Sequence, residues 1–189
     1  MQQINENLVV LQPGDPFEEI FGDMIKIYLS GTLDLIGGPN KLPWQQKFIN
    51  ALAKISSEEP REGMPDLRNI KFLVINPLAP TDGPMSLDNG GFVQKIQWEL
   101  QCQEQADIIF CNFLKKGKDW NSLTGLLLNS KVNKLVVRCP IDSEFYGLIK
   151  ILGQNYEFPV VGDSASAYVI VKAMAETNQK LKDLLENGI

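Results

Sequence analysis

The chain predicts a three-layer α/β sandwich built on a five-stranded parallel sheet. Three observations carry that expectation. Short runs such as "KFLVINP" and "NKLVVRCP" are apolar throughout rather than alternating, as strands covered on both faces are. Segments with helical apolar spacing separate them, and loops rich in turn formers punctuate the whole. Strands followed in turn by helices close by right-handed crossovers into a parallel sheet.

The elements follow in order. The first strand is "IKIYLSG" from Ile25. The helix "PWQQKFINALAKI" begins with Pro43, favourable in a first turn, and spaces Trp44, Phe48, Leu52 and Ile55 at helical intervals. "KFLVINP" from Lys71 is the second strand, and "GGFVQKIQWELQCQEQA" is a helix that sets Val93, Ile96 and Leu100 on one face. "DIIFCNFL" from Asp107 is the third strand, followed by "DWNSLTGLLLNS", a short helix with polar capping residues and an interior glycine, Gly125. "NKLVVRCP" from Asn133 and the brief "FPVVGD" from Phe158 complete the sheet. The last helix, "SASAYVIVKAMAETNQKLKDLLENG", opens on a serine cap and carries Tyr168, Val171, Ala175, Leu181 and Leu185. Residues 1–24, with "LVVL" and "DPFEEIFGD", stand outside the pattern as an extension, able to add an edge strand or a capping helix. The α/β domain spans 25–189.

Composition removes several classes of function. A hydrophobic content of 44% with 22% charged residues is ordinary for a globular domain. The net charge of −5, with no Lys/Arg run, argues against nucleic acid or an anionic membrane as partner. No secretory leader or bilayer-length apolar stretch is visible, and Cys102, Cys111 and Cys139 sit in apolar surroundings, so buried thiols in a cytoplasmic protein are expected. Histidine is absent. That excludes Ser-His and Cys-His pairs, histidine bases and histidine-rich metal sites, and neither a metal nor a cofactor is expected. Any catalysis falls to carboxylates, tyrosines, lysines or hydroxyls.

Ligands of such sheets bind beyond the carboxyl ends of the strands. After the first strand comes "YLSGTLDLIGGPN", without the spacing of a P-loop or a dinucleotide fingerprint. A sugar or phosphate loop and a plain strand-to-helix turn fit it equally. Glu99, in "IQWEL", lies at the margin of the apolar face, and helix geometry alone favours a solvent-exposed boundary carboxylate. Asp119, Asn121 and Ser122 have a plain reading as caps of the next helix, whose N-terminus also suits an anionic or hydroxylated ligand.

"IYLSGT", the helix beginning with tryptophan, "INP", "IQWELQCQEQADIIF" and the Ser-Leu helix start together resemble the nucleoside 2-deoxyribosyltransferase-like proteins, from about Ile25 to about Asp163. Trp98-Glu99 followed by Ala106-Asp107 is the most specific piece. The resemblance implies a flavodoxin-like or Rossmann-like sandwich that binds a nucleoside or nucleotide and cleaves its N-glycosidic bond through a glutamate nucleophile. Covalent catalysis by a carboxylate divides one difficult displacement into two. Tyr28 matches the family's strand-borne tyrosine near the sugar, Glu99 a substrate-facing carboxylate, and Asp119 with Ser122 the polar residues at the nucleophile helix. Ser30, Gly31, Thr32 and Asn76 fall at the strand ends of the same cleft. Phe145 and Tyr146 stand where relatives reach a neighbouring subunit, which implies a homo-oligomer. Three residues on from Ser122, where the family carries its glutamate, this chain has Gly125, and "SLTGLLL" holds no carboxylate. "NPLAP" also lacks the arginines often found after that strand.

Three readings remain open at this point. The first is a nucleoside- or nucleotide-binding protein whose glycosidic chemistry is lost or altered. The second is an active transferase or N-glycosidase using a relocated carboxylate, Asp119 or Glu144. The third is a non-catalytic structural or interaction protein.

Overall fold

The structure is a computed structural model that describes residues 1–16, 22–32, 43–59, 66–78, 90–115 and 120–186. Strands β1 (Gln2–Asn5) and β2 (Leu8–Leu11) are followed by β3 (Ile25–Gly31), α1 (Trp44–Ile55), β4 (Phe72–Ile75), α2 (Gly90–Gln105), β5 (Ile108–Asn112) and α3 (Trp120–Asn129). Then come β6 (Leu135–Arg138), α4 (Tyr146–Tyr156), β7 (Val160–Val161) and α5 (Ser164–Glu186). Asp119 and the segment 33–42 lie outside the described residues.

The sheet has seven strands in the order β1-β2-β4-β3-β5-β6-β7, two more than the five expected. The additional pair is an N-terminal hairpin. β1 is antiparallel to β2, and β2 runs parallel to β4 from Leu8↔Phe72 to Leu11↔Ile75. The remaining neighbours are parallel, as expected. The edge strand β7 is short because Pro159 and Gly162 bracket it.

Continuous apolarity in the strands is explained by cover on both faces. Tyr28, Ile75, Ile109, Cys111 and Val137 pack under α2, α3 and α4. Ile27, Leu29, Val74, Phe110 and Val136 pack under α1 and α5, where the Phe110 ring stacks on Phe48 at 4.9 Å and meets Trp44 edge-on at 5.8 Å. The three cysteines are free and buried.

Two helix assignments change. Val93, Ile96 and Leu100 of α2 share a face as their spacing predicts, but that face is turned outward, with 51%, 39% and 49% exposure. The inward side is made instead by Trp98, Cys102 and Ala106, with Glu99 and Gln103 half-buried among them. The cap of α5 is Asp163 rather than a serine: its Oδ1 accepts the Ser166 N–H at 2.9 Å and its Oδ2 the Ser166 hydroxyl at 2.8 Å.

At the opposite end of the sheet, Asp107 has a structural task. Its Oδ2 accepts the Lys26 backbone N–H at 2.7 Å and the Lys182 ammonium at 3.0 Å, while its carbonyl takes the Asn178 amide at 3.4 Å. Lys182 also reaches the Met24 carbonyl at 2.7 Å. One carboxylate thus joins the start of β3, the start of β5 and the last turns of α5. Removing it leaves a largely buried ammonium without its counter-charge, so Asp107→Ala should cost about 2 kcal/mol of stability. Lys182→Met, which keeps the packed stem, should cost less. Urea denaturation of both variants checks this, and equal or reversed losses would refute it.

Candidate functional site

The chain runs from β3 through α1 to β4, then crosses back by α2 to β5 on the other side of β3. The order of strands therefore reverses at β3 and β5, the point beyond whose carboxyl ends open α/β sheets bind their ligands. The two crossover helices lie on opposite faces of the sheet.

On the α2/α3 face, Tyr28 is almost wholly buried, with Glu99 and Gln103 of α2 within electrostatic and hydrogen-bonding reach of its hydroxyl. Burial pushes the Tyr28 phenol well above its ordinary range, and the Glu99 charge adds to that; the Gln103 amide acts in the opposite direction. The same pair of causes, burial first and Glu99 second, pushes the Cys102 thiol up to about 12. Glu99 is therefore half-buried beside Tyr28, not a carboxylate standing in bulk solvent.

Helix α3 lies over β3, and a Cβ placed on Gly125 would stand 3.8 Å from the Ser30 hydroxyl, an ordinary contact with room to spare. Asn129, one turn on, donates to the Gly125 carbonyl at 2.9 Å and to Gln103 Oε1 at 2.8 Å. Gln103 and Asn129 thus tie α3 to α2 and to Tyr28. Sequence reading missed both, because nothing in the spacing of two exposed-looking amides signals a contact between helices. Ser122 is buried in the first turn of α3.

Other expected residues have structural work. Gly31 has φ +134°, and a Cβ there would fall 2.2 Å from the Asn112 carbonyl oxygen. Thr32 is buried: its Oγ1 accepts the Leu114 N–H at 3.4 Å, and its carbonyl takes the Trp44 indole N–H at 2.9 Å. Asn76, also buried, turns the chain after β4 by accepting the Leu78 N–H at 3.2 Å. Phe145 packs inward on Phe113 at 5.9 Å, so it belongs to the core of its own chain, while Tyr146 is half-buried with Lys150 over its ring. Glu144 is exposed. Among the described residues α3 carries no acid, and no three His, Cys, Asp or Glu side chains converge as a metal site.

A mostly parallel sheet that reverses order at β3, with a buried tyrosine and a carboxylate under one crossover helix, defines a doubly wound α/β protein. The family to which the chain belongs is that of the nucleoside 2-deoxyribosyltransferase-like proteins, whose family model matches residues 24–143. That span includes Tyr28, Glu99 and Gly125 and ends before Phe145. No individual curated protein matches the chain.

The two glycines predict opposite outcomes. Gly125→Ala has room and relieves an interior helix penalty, so it should stabilise by about 0.5–1 kcal/mol. Gly31→Ala drives a methyl into backbone at a positive φ and should cost on the order of 3 kcal/mol. Chemical denaturation checks both, and a destabilised Gly125→Ala would show that α3 needs its glycine for packing.

Tyr28 and Cys102 also predict an alkaline weakness. Each holds its proton in the folded chain at a pH where the unfolded chain gives it up, so the unfolded state binds fewer protons and stability falls as pH rises. The fall begins near 9.0, the ordinary thiol value, and steepens beyond 10.0, that of tyrosine, at up to about 1.4 kcal/mol per pH unit for each group. Tyr168 and Cys139 act in the same direction. In urea titrations from neutral to alkaline pH, Tyr28→Phe should flatten the decline above 10.0; an unchanged slope would count against the buried phenol as a cause.

Proposed function

We propose that the protein binds a nucleoside or nucleotide at the carboxyl ends of β3 and β5, with the N-glycosidic chemistry of its family lost or altered. The observation that carries this reading is the placement of Gly125. Family resemblance sets the nucleophilic glutamate at this position, and here α3 turns an unsubstituted Cα toward Ser30 of β3. Family-type chemistry forms a bond from a carboxylate oxygen to the anomeric carbon as the base leaves, and α3 supplies no such oxygen. The surrounding groups persist. Tyr28 stays buried beside Glu99, an arrangement with little use in a bare scaffold, because an apolar pair would pack there at lower desolvation cost. In this reading Glu99 accepts a hydrogen bond from a ligand hydroxyl or base edge, and Tyr28 fixes its orientation.

A second reading keeps turnover and moves the nucleophile. The half-buried Glu99 favours it, since a carboxylate beside Tyr28 is already near the strand ends.

The test pairs thermal stabilisation with chromatographic analysis of base release, across the common 2′-deoxynucleosides and their 5′-phosphates. Wild type should be stabilised by at least one of them, by about 2.7 kcal/mol at a hundredfold excess over its dissociation constant. It should release no base. Gly125→Glu restores a carboxylate one turn from Ser122 and should give slow base release. Release by wild type that disappears in Glu99→Gln, with folding intact, would overturn the lead reading in favour of the second.

A further inference from the structure

The strand ends hold another polar group, on the α1/α5 face, and it is a cation. Arg138 is the last residue of β6, in register with Asn112 at the end of β5 and Val161 at the end of β7. Aligned residues of parallel strands point to one face, so Arg138 rises beside Asn112. The arginine is half-buried. Its Nη1 donates to Asn112 Oδ1 at 3.0 Å and to the Phe113 carbonyl at 3.5 Å. Nε is sealed from solvent without an acceptor, and Nη2 has none among the described residues. One edge of the guanidinium fork is therefore unfulfilled.

No carboxylate among the described residues forms an ion pair with Arg138. Asp163 is close enough to feel the guanidinium, but both of its oxygens cap α5 through Ser166. Tyr168, which also feels it, brings a neutral hydroxyl. A guanidinium carries a permanent charge, so its half-burial with no ion pair among the described residues leaves it suited to an arriving anion. Joining β5 to β6 needs only the hydrogen bond to Asn112, made by one nitrogen of the guanidinium. The charge and the open edge are surplus to that role.

We propose that Arg138 anchors an anionic subsite that takes a phosphate carried by the ligand, so that a nucleoside 5′-phosphate is preferred over the nucleoside. This rests on the nucleoside reading above and adds the phosphorylation state to it. The span is reasonable: β3 and β6 flank β5, so Ser30 and Arg138 sit two strand spacings apart, about 10 Å. A ligand crossing the end of β5 would set its sugar beside Ser30 and Gly125 and its phosphate beside Arg138. A guanidinium suits a phosphate's oxygens, and Nη2, which has no acceptor among the described residues, is the nitrogen left to meet one.

The experiment measures dissociation constants by calorimetry for 2′-deoxynucleosides, for their 5′-monophosphates and for inorganic phosphate. Wild type, Arg138→Gln and Arg138→Lys are compared at low and raised salt. Wild type should prefer a monophosphate over its nucleoside by about tenfold or more, the worth of a charge-assisted hydrogen bond, and salt should erode that preference. Arg138→Gln should abolish the preference, and Arg138→Lys should keep part of it. Equal binding of nucleoside and monophosphate by wild type would overturn the anionic subsite while leaving nucleoside binding intact. A preference that survives in Arg138→Gln would overturn it too. Should no nucleoside or nucleotide bind, stabilisation by inorganic phosphate in wild type but not Arg138→Gln would sustain the subsite and remove the nucleoside reading. Silence in every arm removes both. If Arg138→Gln fails to fold, the wild-type ratio and Arg138→Lys still decide.

Discussion

The close approach of β3 to β5 at Gly31 is the constraint on which the strand-end geometry rests. With no Cβ at Gly31, the backbone of Asn112 comes near enough for the Thr32 N–H to donate to the Asn112 carbonyl at 3.0 Å, carrying the pairing to the end of the sheet. Several placements follow from that contact. Thr32 receives the Trp44 indole and so fixes the start of α1. Asn112 presents its side-chain oxygen to Arg138 and so holds the end of β6. Ser30, one residue before the glycine, is left facing α3 and Gly125. A glycine that seemed a candidate for a phosphate loop is accounted for by strand pairing, and its contribution to any site is indirect.

The strands were legible because burial on both faces demands apolar residues without interruption, and little else in this sequence has that pattern. The hairpin β1–β2 was not, since "LVVL" is short and its partner β4 lies some sixty residues away; local pattern carries no signal for such a pairing. Helix α2 was legible as a helix and misleading as a surface. Its most apolar stripe faces outward, while the side against the sheet mixes Trp98 and Cys102 with Glu99 and Gln103. Hydrophobic periodicity assumes that the buried face is the apolar one, and that assumption fails where polar groups face inward, as Glu99 and Gln103 do beside Tyr28. The Gln103–Asn129 link and the role of Arg138 were equally invisible. Each depends on which residues the fold brings together, not on neighbours in the chain.

Asp107 gives the converse lesson. Together with Trp98-Glu99 it is the piece on which the family resemblance rests most, which invites a functional reading. Its carboxylate instead sits at the amino end of the sheet, bound to the Lys26 N–H and to Lys182. A residue on which a resemblance rests can mark a fold rather than a site, and here Glu99 stands beside Tyr28 while Asp107 serves the amino end of the sheet.

The two glycines in contact with β3 and β5 separate on the same criterion. An added methyl at Gly31 meets backbone at 2.2 Å, so the fold requires glycine there. At Gly125 the nearest neighbour among the described residues is a hydroxyl at 3.8 Å, so their packing gives no reason for glycine, and intrinsic propensity argues against it. That absence of a packing role among the described residues is what the proposed loss of a side chain at this position would leave behind. Loss of that kind leaves the neighbours unchanged, and Tyr28, Glu99, Gln103 and Asn129 do retain polar contacts that an apolar repacking would have dispensed with. Burying such groups lowers stability unless something is gained from them. The proposed gain is recognition of a ligand, which draws on different atoms from those that would cleave a bond.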